Sequence, residues 1–239
     1  MKKLFLSLVS FLSIAVFAQN NEVIKDPNAT VRTLSGSFTA ISVSSGIDLY
    51  ITQGDEESIA VSASNEKYMA RFKTEVDNGT LKIYYDNNGV TWTNGENRKL
   101  KAYVSFKTLE KLQGSAGSKV TAKGSLTVEN LEMKFSSGAS FGGQVFAKEL
   151  NVEQNSGSAI TISGKTEKIK IEVTSGADFK GFDMAVDFCD AEVNSGGNVH
   201  ITINKELSAK ANSGGAVRYR GTALIRDINI SSGGIVKRS

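Results

Sequence analysis

A glycine recurs at nearly constant intervals through the second half of the chain, and this period constrains the fold more than any other feature. Seven glycines, each following a small residue, are separated by 21, 19, 19, 20, 18 and 19 positions: Gly117, Gly138, Gly157, Gly176, Gly196, Gly214 and Gly233. The preceding residue is Ala116 in the first repeat and serine in the other six. A fixed period of this length is typical of repeat architectures, in which each unit buries its apolar face by stacking on its neighbours.

Side chains of one type return to the same distance from this glycine in every repeat. Only apolar residues lie three positions after it (Val120, Phe141, Ile160, Phe179, Val199, Val217, Val236) and five positions before it (Leu112, Met133, Val152, Ile171, Ala191, Ala209, Ile228). Odd offsets are apolar or small and even offsets collect Lys, Glu, Asp and Thr, which is the alternation of a strand with one buried face. We therefore predict an all-β fold, a single-stranded parallel β-helix (solenoid). Its coils of about nineteen residues each carry a strand on either side of a Ser-Gly corner.

An antiparallel sandwich or barrel is the competing interpretation, because its turn signals also recur regularly. Successive strands would then reverse direction, and nothing would return the same residue types to the same offset in each repeat. The composition agrees with stacked strands and tight corners, since the chain has 23 glycines and one proline.

The first half departs from the period after one coil. Ser44, Ser45 and Gly46 lie between apolar residues as in the later corners, so we predict that this segment is the first coil. We expect residues 35–113 to contain this coil and a β-rich capping region, and residues 114–239 to contain the regular coils. Asn65 is positioned to cap one short helix over Glu66 to Phe72, and Asp77-Asn78-Gly79 is a hairpin turn signal. A solenoid needs such a cap because its end coil exposes both its core and its strand edge.

The N-terminus predicts export. Residues 1–18 read as a signal peptide, with Lys2 and Lys3 before an apolar run that ends at Val16-Phe17-Ala18. We predict a flexible lead-in over residues 19–34, one solenoid domain over residues 35–239, and no transmembrane segment in the mature chain. Removing residues 1–18 leaves 26 basic and 25 acidic residues, a balance that gives no electrostatic case for nucleic acid. We expect the protein in the periplasm, on the outer surface or outside the cell.

Three features of the sequence resemble the head GIN domain family, the auto-transporter adhesins of Gram-negative bacterial envelopes. They are Phe38 to Gly54 (FTAISVSSGIDLYITQG), Glu75 to Ile83 (EVDNGTLKI) and the tandem Ser-Gly coils that follow. The resemblance covers essentially the mature chain and implies an exported single-domain β-solenoid. Asp48 follows Gly46-Ile47 where the family name suggests asparagine. The family motif offers no catalytic residues to carry over.

The residues that could support catalysis have structural interpretations. His200 is the only histidine, and we expect it to be an exposed strand residue. The serines beside glycine recur in every coil, which indicates corners rather than nucleophiles. Five acids cluster within one coil (Asp178, Asp183, Asp187, Asp190 and Glu192), and solvated turns and faces explain them without a catalytic pair. We predict no cofactor and no metal site.

Candidate ligand contacts are aromatic. Trp92 lies in a polar loop with Tyr84 and Tyr85 nearby in the sequence, and exposed rings of this kind stack on sugars. Packing within the cap is the alternative role for Trp92. Cys189 falls in an apolar column and is expected to be a buried, unreactive thiol.

Three functional hypotheses follow. The first is a non-enzymatic adhesin or scaffold that binds glycans or polymers of the envelope or a host surface. The second is a carbohydrate-active β-helix enzyme that uses the acids between Asp178 and Glu192. The third is self-association through the C-terminal end coil, because Ile235 to Ser239 provide no polar cap for its edge.

Overall fold

The structure is a computed structural model that describes residues 26–87 and 97–239. These residues form sixteen strands and one short helical turn. The strands are β1 (Thr30–Arg32), β2 (Ala40–Val43), β3 (Asp48–Gln53), β4 (Ser58–Ser62), β5 (Phe72–Asp77), β6 (Thr80–Tyr85), β7 (Lys101–Phe106), β8 (Lys111–Gly114), β9 (Lys119–Phe135), β10 (Ser140–Gln154), β11 (Ala159–Val173), β12 (Asp178–Val193), β13 (Asn198–Ala211), β14 (Ala216–Arg220), β15 (Leu224–Ile230) and β16 (Ile235–Arg238).

Strand pairing confirms the solenoid. From β8 onward each strand pairs in parallel with the equivalent strand of the next coil, giving a β-solenoid of about 7 turns with coils of about 19 residues. The offset between β10 and β11 is constant along their whole length, from Ser140 opposite Ala159 to Gln154 opposite Val173. The antiparallel sandwich is therefore wrong for this region.

Each Ser-Gly pair forms a sharp corner, as predicted. Both residues adopt left-handed backbone conformations, for example φ 54° at Ser175 and φ 70° at Gly176, which is the geometry of a type I′ turn. The glycine N–H then donates to the carbonyl of the preceding position in the next corner, as from Gly157 to Ser175 over 3.1 Å. The same backbone bond links Gly46 to Ala116 over 2.9 Å, so the Ser45-Gly46 corner stacks on the first regular one.

The apolar columns line the core. Every member of the two columns identified in the sequence is buried except Val236 and Ile228, which lie in the last coil. The column that contains Leu131, Leu150, Ile169 and Cys189 is buried as well. One continuous apolar core therefore extends from Phe38 to Val217.

The two short strands predicted for each unit join into one, because strand pairing continues from one corner to the next. Strands β9 to β13 are 14 to 17 residues long. Differences in coil length are taken up where the register shifts, as between Gly142 and Gln144 and between Gly181 and Ala185. A bulge inserts residues without ending the ladder.

The predicted capping region forms the N-terminal end of the ladder. β6 and β7 add one more parallel coil beyond β2 and β3, although they follow them in the chain. Antiparallel strands close both sides of this coil, because β5 pairs with β6 and β4 pairs with β7. The Asn78-Gly79 turn joins β5 to β6, as the sequence predicted.

Two local predictions for this region need correction. The expected helix over Glu66 to Phe72 is a 3-10 turn of three residues, Glu66–Tyr68, and Phe72 begins a strand. Asn65 does cap the turn, accepting a hydrogen bond from the Lys67 N–H at 3.0 Å. The lead-in is not wholly flexible, since Thr30–Arg32 pairs antiparallel with β4.

The C-terminal end of the ladder is open. β15 pairs with β13 on one side, and its apolar residues are exposed although they continue core columns: Leu224 is 74% exposed and Ile230 is 48% exposed. Among the described residues, no helix has the length and apolar character needed to cross a membrane.

Candidate ligand-binding surface

Of the three aromatic residues predicted as ligand contacts, the two that the structure describes differ in their exposure. Trp92 lies outside the described residues. Tyr85 is 4% exposed, and its ring packs edge-on against Tyr68 and beneath the guanidinium groups of Arg71 and Arg98. The ligand-contact prediction for Tyr85 is thus corrected, because a ring enclosed in the cap cannot stack on a ligand.

Tyr84 faces outward from the cap hairpin and remains a candidate. It lies opposite Lys73 in the β5–β6 pair and is half-buried. Partial burial, together with a hydrogen bond to Glu75, raises the pKa of the Tyr84 hydroxyl above its ordinary value. The ring is therefore neutral and partly accessible at physiological pH.

The five acids between Asp178 and Glu192 are distributed around the coil. Asp178 pairs in register with Asn198 on the strand after a corner, whereas Asp190 and Glu192 pair with Ser208 and Lys210 on the strand before the next corner. Asp178 is the first residue of β12, and Asp190 and Glu192 lie twelve and fourteen residues further along it, in different outward columns of the coil. Catalysis by opposed carboxylates needs them to converge across a bound substrate.

The remaining acids of this group have cationic partners or face solvent. Asp187 forms an ion pair with Lys205 at 2.8 Å, and the hydrogen bond from Lys205 holds the pKa of Asp187 below its ordinary value. Asp183 is exposed. No group of three or more His, Cys, Asp or Glu side chains in residues 26–87 and 97–239 is arranged to hold a metal ion.

The two other singled-out residues lie on β12 and β13. Cys189 is a free, buried cysteine whose thiol has a pKa raised by burial, as expected for a core residue. His200 is less exposed than predicted, with 25% of its side chain accessible. Its Nδ1 lies 3.6 Å from Oδ1 of Asp178, and its ring packs edge-on against Phe182 at 5.2 Å.

A surface that the sequence did not single out runs along the coils on the side that precedes each corner. We call it the pre-corner groove. It consists of two adjoining hollows of about 370 and 530 Å³ that share Asn151. Side chains from successive coils line it, among them Glu132, Asn151, Lys170, Asp190 and Ser208, which occupy one outward column of the parallel ladder.

Polar and apolar side chains both line the groove, and several of its charges are paired between coils. Glu149 accepts from Lys168 at 3.2 Å, and Glu206 accepts from Arg226 at 2.7 Å. Phe188 supplies the one aromatic ring among its lining residues, with the Lys205 ammonium 5.3 Å from the ring centre. Hydrogen-bonding groups in rows with an aromatic ring suit a polar, extended ligand. The even-offset polar columns were the sequence signal for this surface.

Comparison with known proteins identifies the family. The model of the family described as "Putative auto-transporter adhesin, head GIN domain" matches residues 37–223. The chain belongs to the head GIN domain family. That assignment confirms the resemblance found in the sequence, and the family description supports a surface adhesin-like protein.

Solved structures share the head GIN fold at low sequence identity. A "putative adhesin" from Bacteroides fragilis has a TM-score of 0.79 and 15% identity, over 90% of this chain and 98% of that one. A "putative adhesin" from Parabacteroides distasonis has a TM-score of 0.70 and 20% identity, over 88% and 97%. A "putative lipid binding protein" from the same species has a TM-score of 0.63 and 19% identity, over 89% and 97%. No curated protein matches the chain.

Proposed function

We propose that this head GIN domain protein is exported and acts without catalysis, binding glycans or similar envelope or host polymers along the pre-corner groove. The observation that carries the proposal is the groove itself, an elongated hollow whose polar side chains repeat from coil to coil. The adhesin description of the family agrees with a binding role at a surface.

The shape of the groove favours a polymer over a compact small molecule. Its lining spans coils from Gln53 to Arg226, so a ligand would contact several coils in succession. Each coil advances by about 4.8 Å, so equivalent groups form evenly spaced rows. A flexible chain of sugars offers hydroxyl groups at comparable intervals, and the amide of Asn151 can both donate and accept.

The separation of the acidic side chains supports a non-enzymatic role. A polymer in the groove would meet Asp190, while Asp178 is not among the residues that line the groove. If the alternative enzyme hypothesis were right, uronic-acid polymers would be cleaved and the activity would disappear in Asp183→Asn or Asp187→Asn.

A glycan array tests the binding proposal. We expect the mature chain to bind a subset of glycans, and the double substitution Asn151→Ala with Lys170→Ala to weaken that binding roughly tenfold, since two hydrogen-bonding groups are lost. Thr161→Ala is the matched control, because Thr161 is exposed on the strand after a corner, away from the groove. Wild-type binding by the double variant would remove the groove from consideration.

Export has its own test. The proposal requires cleavage after Ala18, so mass spectrometry of the protein recovered from cells should find a mature chain beginning at Gln19. A chain that retains residues 1–18 and stays in the cytoplasm would contradict export.

A further inference from the structure

A row of basic side chains crosses the last coils on the strands that follow the corners. Lys180, His200, Arg218 and Lys237 are register neighbours on β12, β13, β14 and β16. Their side chains face outward, because the residues on either side of Arg218 continue inward columns. Arg220 lies two residues beyond Arg218 on the same strand. We call these five residues the cationic row.

The row differs from the ion-paired part of the pre-corner side. There Lys111 pairs with Glu132 at 3.3 Å, and Lys134 pairs with Glu132 at 2.8 Å and Glu153 at 2.9 Å. These bonds lower the pKa of Glu132. The like charges stacked further along that side are acidic, because Glu153, Glu172 and Glu192 are register neighbours. In the cationic row, basic residues stack on basic residues.

Few acids compensate the row. Asp178 contacts Lys180 at 3.3 Å and His200 at 3.6 Å. Within the described part of the chain, no acidic side chain lies within ion-pair distance of Arg218, Arg220 or Lys237. Like charges on adjacent strands destabilise a sheet, so the stacking of Arg218 on Lys237 weakens the pairing of β14 with β16.

An aromatic ring lies within the row. The Arg220 guanidinium is 4.0 Å from the centre of the Phe182 ring, and His200 packs edge-on against the same ring. This contact holds the guanidinium plane against a half-buried surface while its N–H groups remain free to donate. An ordered guanidinium binds carboxylate or sulfate groups in a bidentate manner.

We propose that the cationic row binds an acidic polysaccharide that lies along the solenoid axis. The row is linear, with its side chains on successive coils about 4.8 Å apart, so it matches a polymer that carries carboxylate or sulfate groups at regular intervals. Binding would relieve the repulsion between Arg218 and Lys237. Asn198 and Thr202 lie beside the cations. The Thr202 hydroxyl donates to the carbonyl of Phe182 at 2.7 Å, and its oxygen can still accept from a sugar hydroxyl.

An extended polymer fits this face better than a bilayer. Peripheral membrane binding combines basic residues with apolar side chains that insert between lipids. Asn198 and Thr202 beside the cations are polar, and Phe182 is engaged by Arg220. Ile235, in register with Ala216 beside Lys237, is 46% exposed, but a single apolar side chain is too little for insertion between lipids. None of the five residues of the row lines the pre-corner groove, so this site does not depend on the proposed function of that groove.

Titration with defined polymers tests the proposal. The mature chain should bind polygalacturonate and heparin but not neutral dextran, with affinity that falls as NaCl rises from 50 to roughly 500 mM because salt screens the charges. Arg218→Gln with Lys237→Gln should weaken binding to both polyanions at least about tenfold, since two charge-assisted contacts are lost.

A matched double variant separates the row from overall charge. Lys119→Gln with Lys210→Gln removes the same net charge from exposed strand positions outside the row, and should change binding less than about twofold. Equal losses in both variants, or no loss in the row variant, would overturn the proposal, provided circular dichroism shows that both remain folded. Tight binding to anionic phospholipid vesicles with none to the polymers would overturn it in favour of a membrane partner. If Asn151→Ala with Lys170→Ala bound glycans like the wild type, the groove proposal would fail. The polyanion result for the cationic row would still stand.

Discussion

The corner residues adopt a backbone conformation that most amino acids avoid. At each corner the first residue is a serine or alanine with φ between 46° and 66°, and the second is a glycine with φ near 70°. The left-handed conformation costs a residue with a Cβ atom about 1 kcal/mol, whereas glycine adopts it freely. The first corner position is therefore strained in every coil. Glycine at the second position prevents a second strained residue in the same corner.

Gly176→Ala should destabilise the protein by about 1 kcal/mol, because alanine is strained at φ 70° although no atom lies within 4 Å of the added Cβ. Gly142→Ala is the matched control: its Cβ also meets open space, but its φ is not left-handed. We expect the control to be neutral or slightly stabilising. Urea unfolding measures the free energy of unfolding of both variants. Equal changes would show that corner strain does not cause the loss of stability in Gly176→Ala.

Burial of Tyr85 was predictable from its own strand. Leu81, Ile83 and Tyr85 alternate with polar residues and are all buried, so period-two reasoning applied to this segment would have placed Tyr85 in the core. The prediction instead gave weight to the neighbouring polar loop. Cys189 was placed correctly because it shares an offset with Leu150 and Ile169.

At the scale of elements, the parallel strands were predictable and the antiparallel cap pairing was not. Columns such as Val120 and Phe141 recur at one offset, which fixes both strand and register. β1 has three residues and pairs with β4 about thirty positions away, so neither its length nor its pattern carries enough signal. The out-of-order coil formed by β6 and β7 has no Ser-Gly corner to mark it.

One carboxylate fastens the N-terminal segment to this cap. Asp26 accepts hydrogen bonds from the Ser62 hydroxyl at 2.6 Å and the Tyr103 hydroxyl at 2.8 Å, and Lys101 lies 3.9 Å away. The bond from Ser62 is the largest cause that lowers the pKa of Asp26, and burial opposes it. Burial and the bond to Asp26 raise the pKa of Tyr103.

Asp26→Asn should lower the free energy of unfolding by about 2 kcal/mol at pH 7, because bonds to a charged acceptor are lost. Since the pKa of Asp26 is lowered on folding, its contribution is complete above about pH 4 and is lost as the pH falls through the folded value. The difference between wild type and variant should therefore vanish in acid. Asp55→Asn, in an exposed loop, should leave stability at pH 7 unchanged, and thermal unfolding between pH 2 and 7 would reveal any departure.

At the scale of the whole molecule, the two ends of the ladder differ. Antiparallel strands close the N-terminal end, whereas β15 and β16 leave backbone groups and core-column residues open. We expect the amides of Leu224–Ile230 to exchange with deuterium faster than those of Ala159–Val173, because β15 has a ladder partner on one side. Equal protection in dilute protein would mean that something covers the end coil.

Self-association through this end coil is still a prediction, and its test is direct. Antiparallel pairing of two copies of β15 about Ile228 would put Asp227 opposite Asn229, so no like charges would face each other. The mass measured by light scattering should rise with concentration, and Ile228→Lys with Ile230→Lys should abolish the rise. Val31→Lys at the opposite end is the control, and Val31 is 76% exposed. A wild-type chain that is monomeric at every concentration would contradict the prediction.

Neither candidate binding surface could be predicted as a site. The groove and the cationic row consist of outward side chains that are about nineteen residues apart in sequence, and each is ordinary within its own strand. Lys180 and Arg218 become neighbours through His200 only when three coils stack. The net charge gave no sign of the row either. The chain has nearly equal numbers of basic and acidic residues, and a total does not show how they are distributed over the surface.

The constant offset between β10 and β11 has a consequence for how the chain reaches its native state. When every coil presents the same core column, a coil that docks one turn too far forms nearly the same contacts, so the folding chain risks a shifted alignment that is slow to correct. The irregular coils remove this ambiguity. A bulge such as that between Gly181 and Ala185 fits the strand of one neighbouring coil only, and it therefore permits a single register.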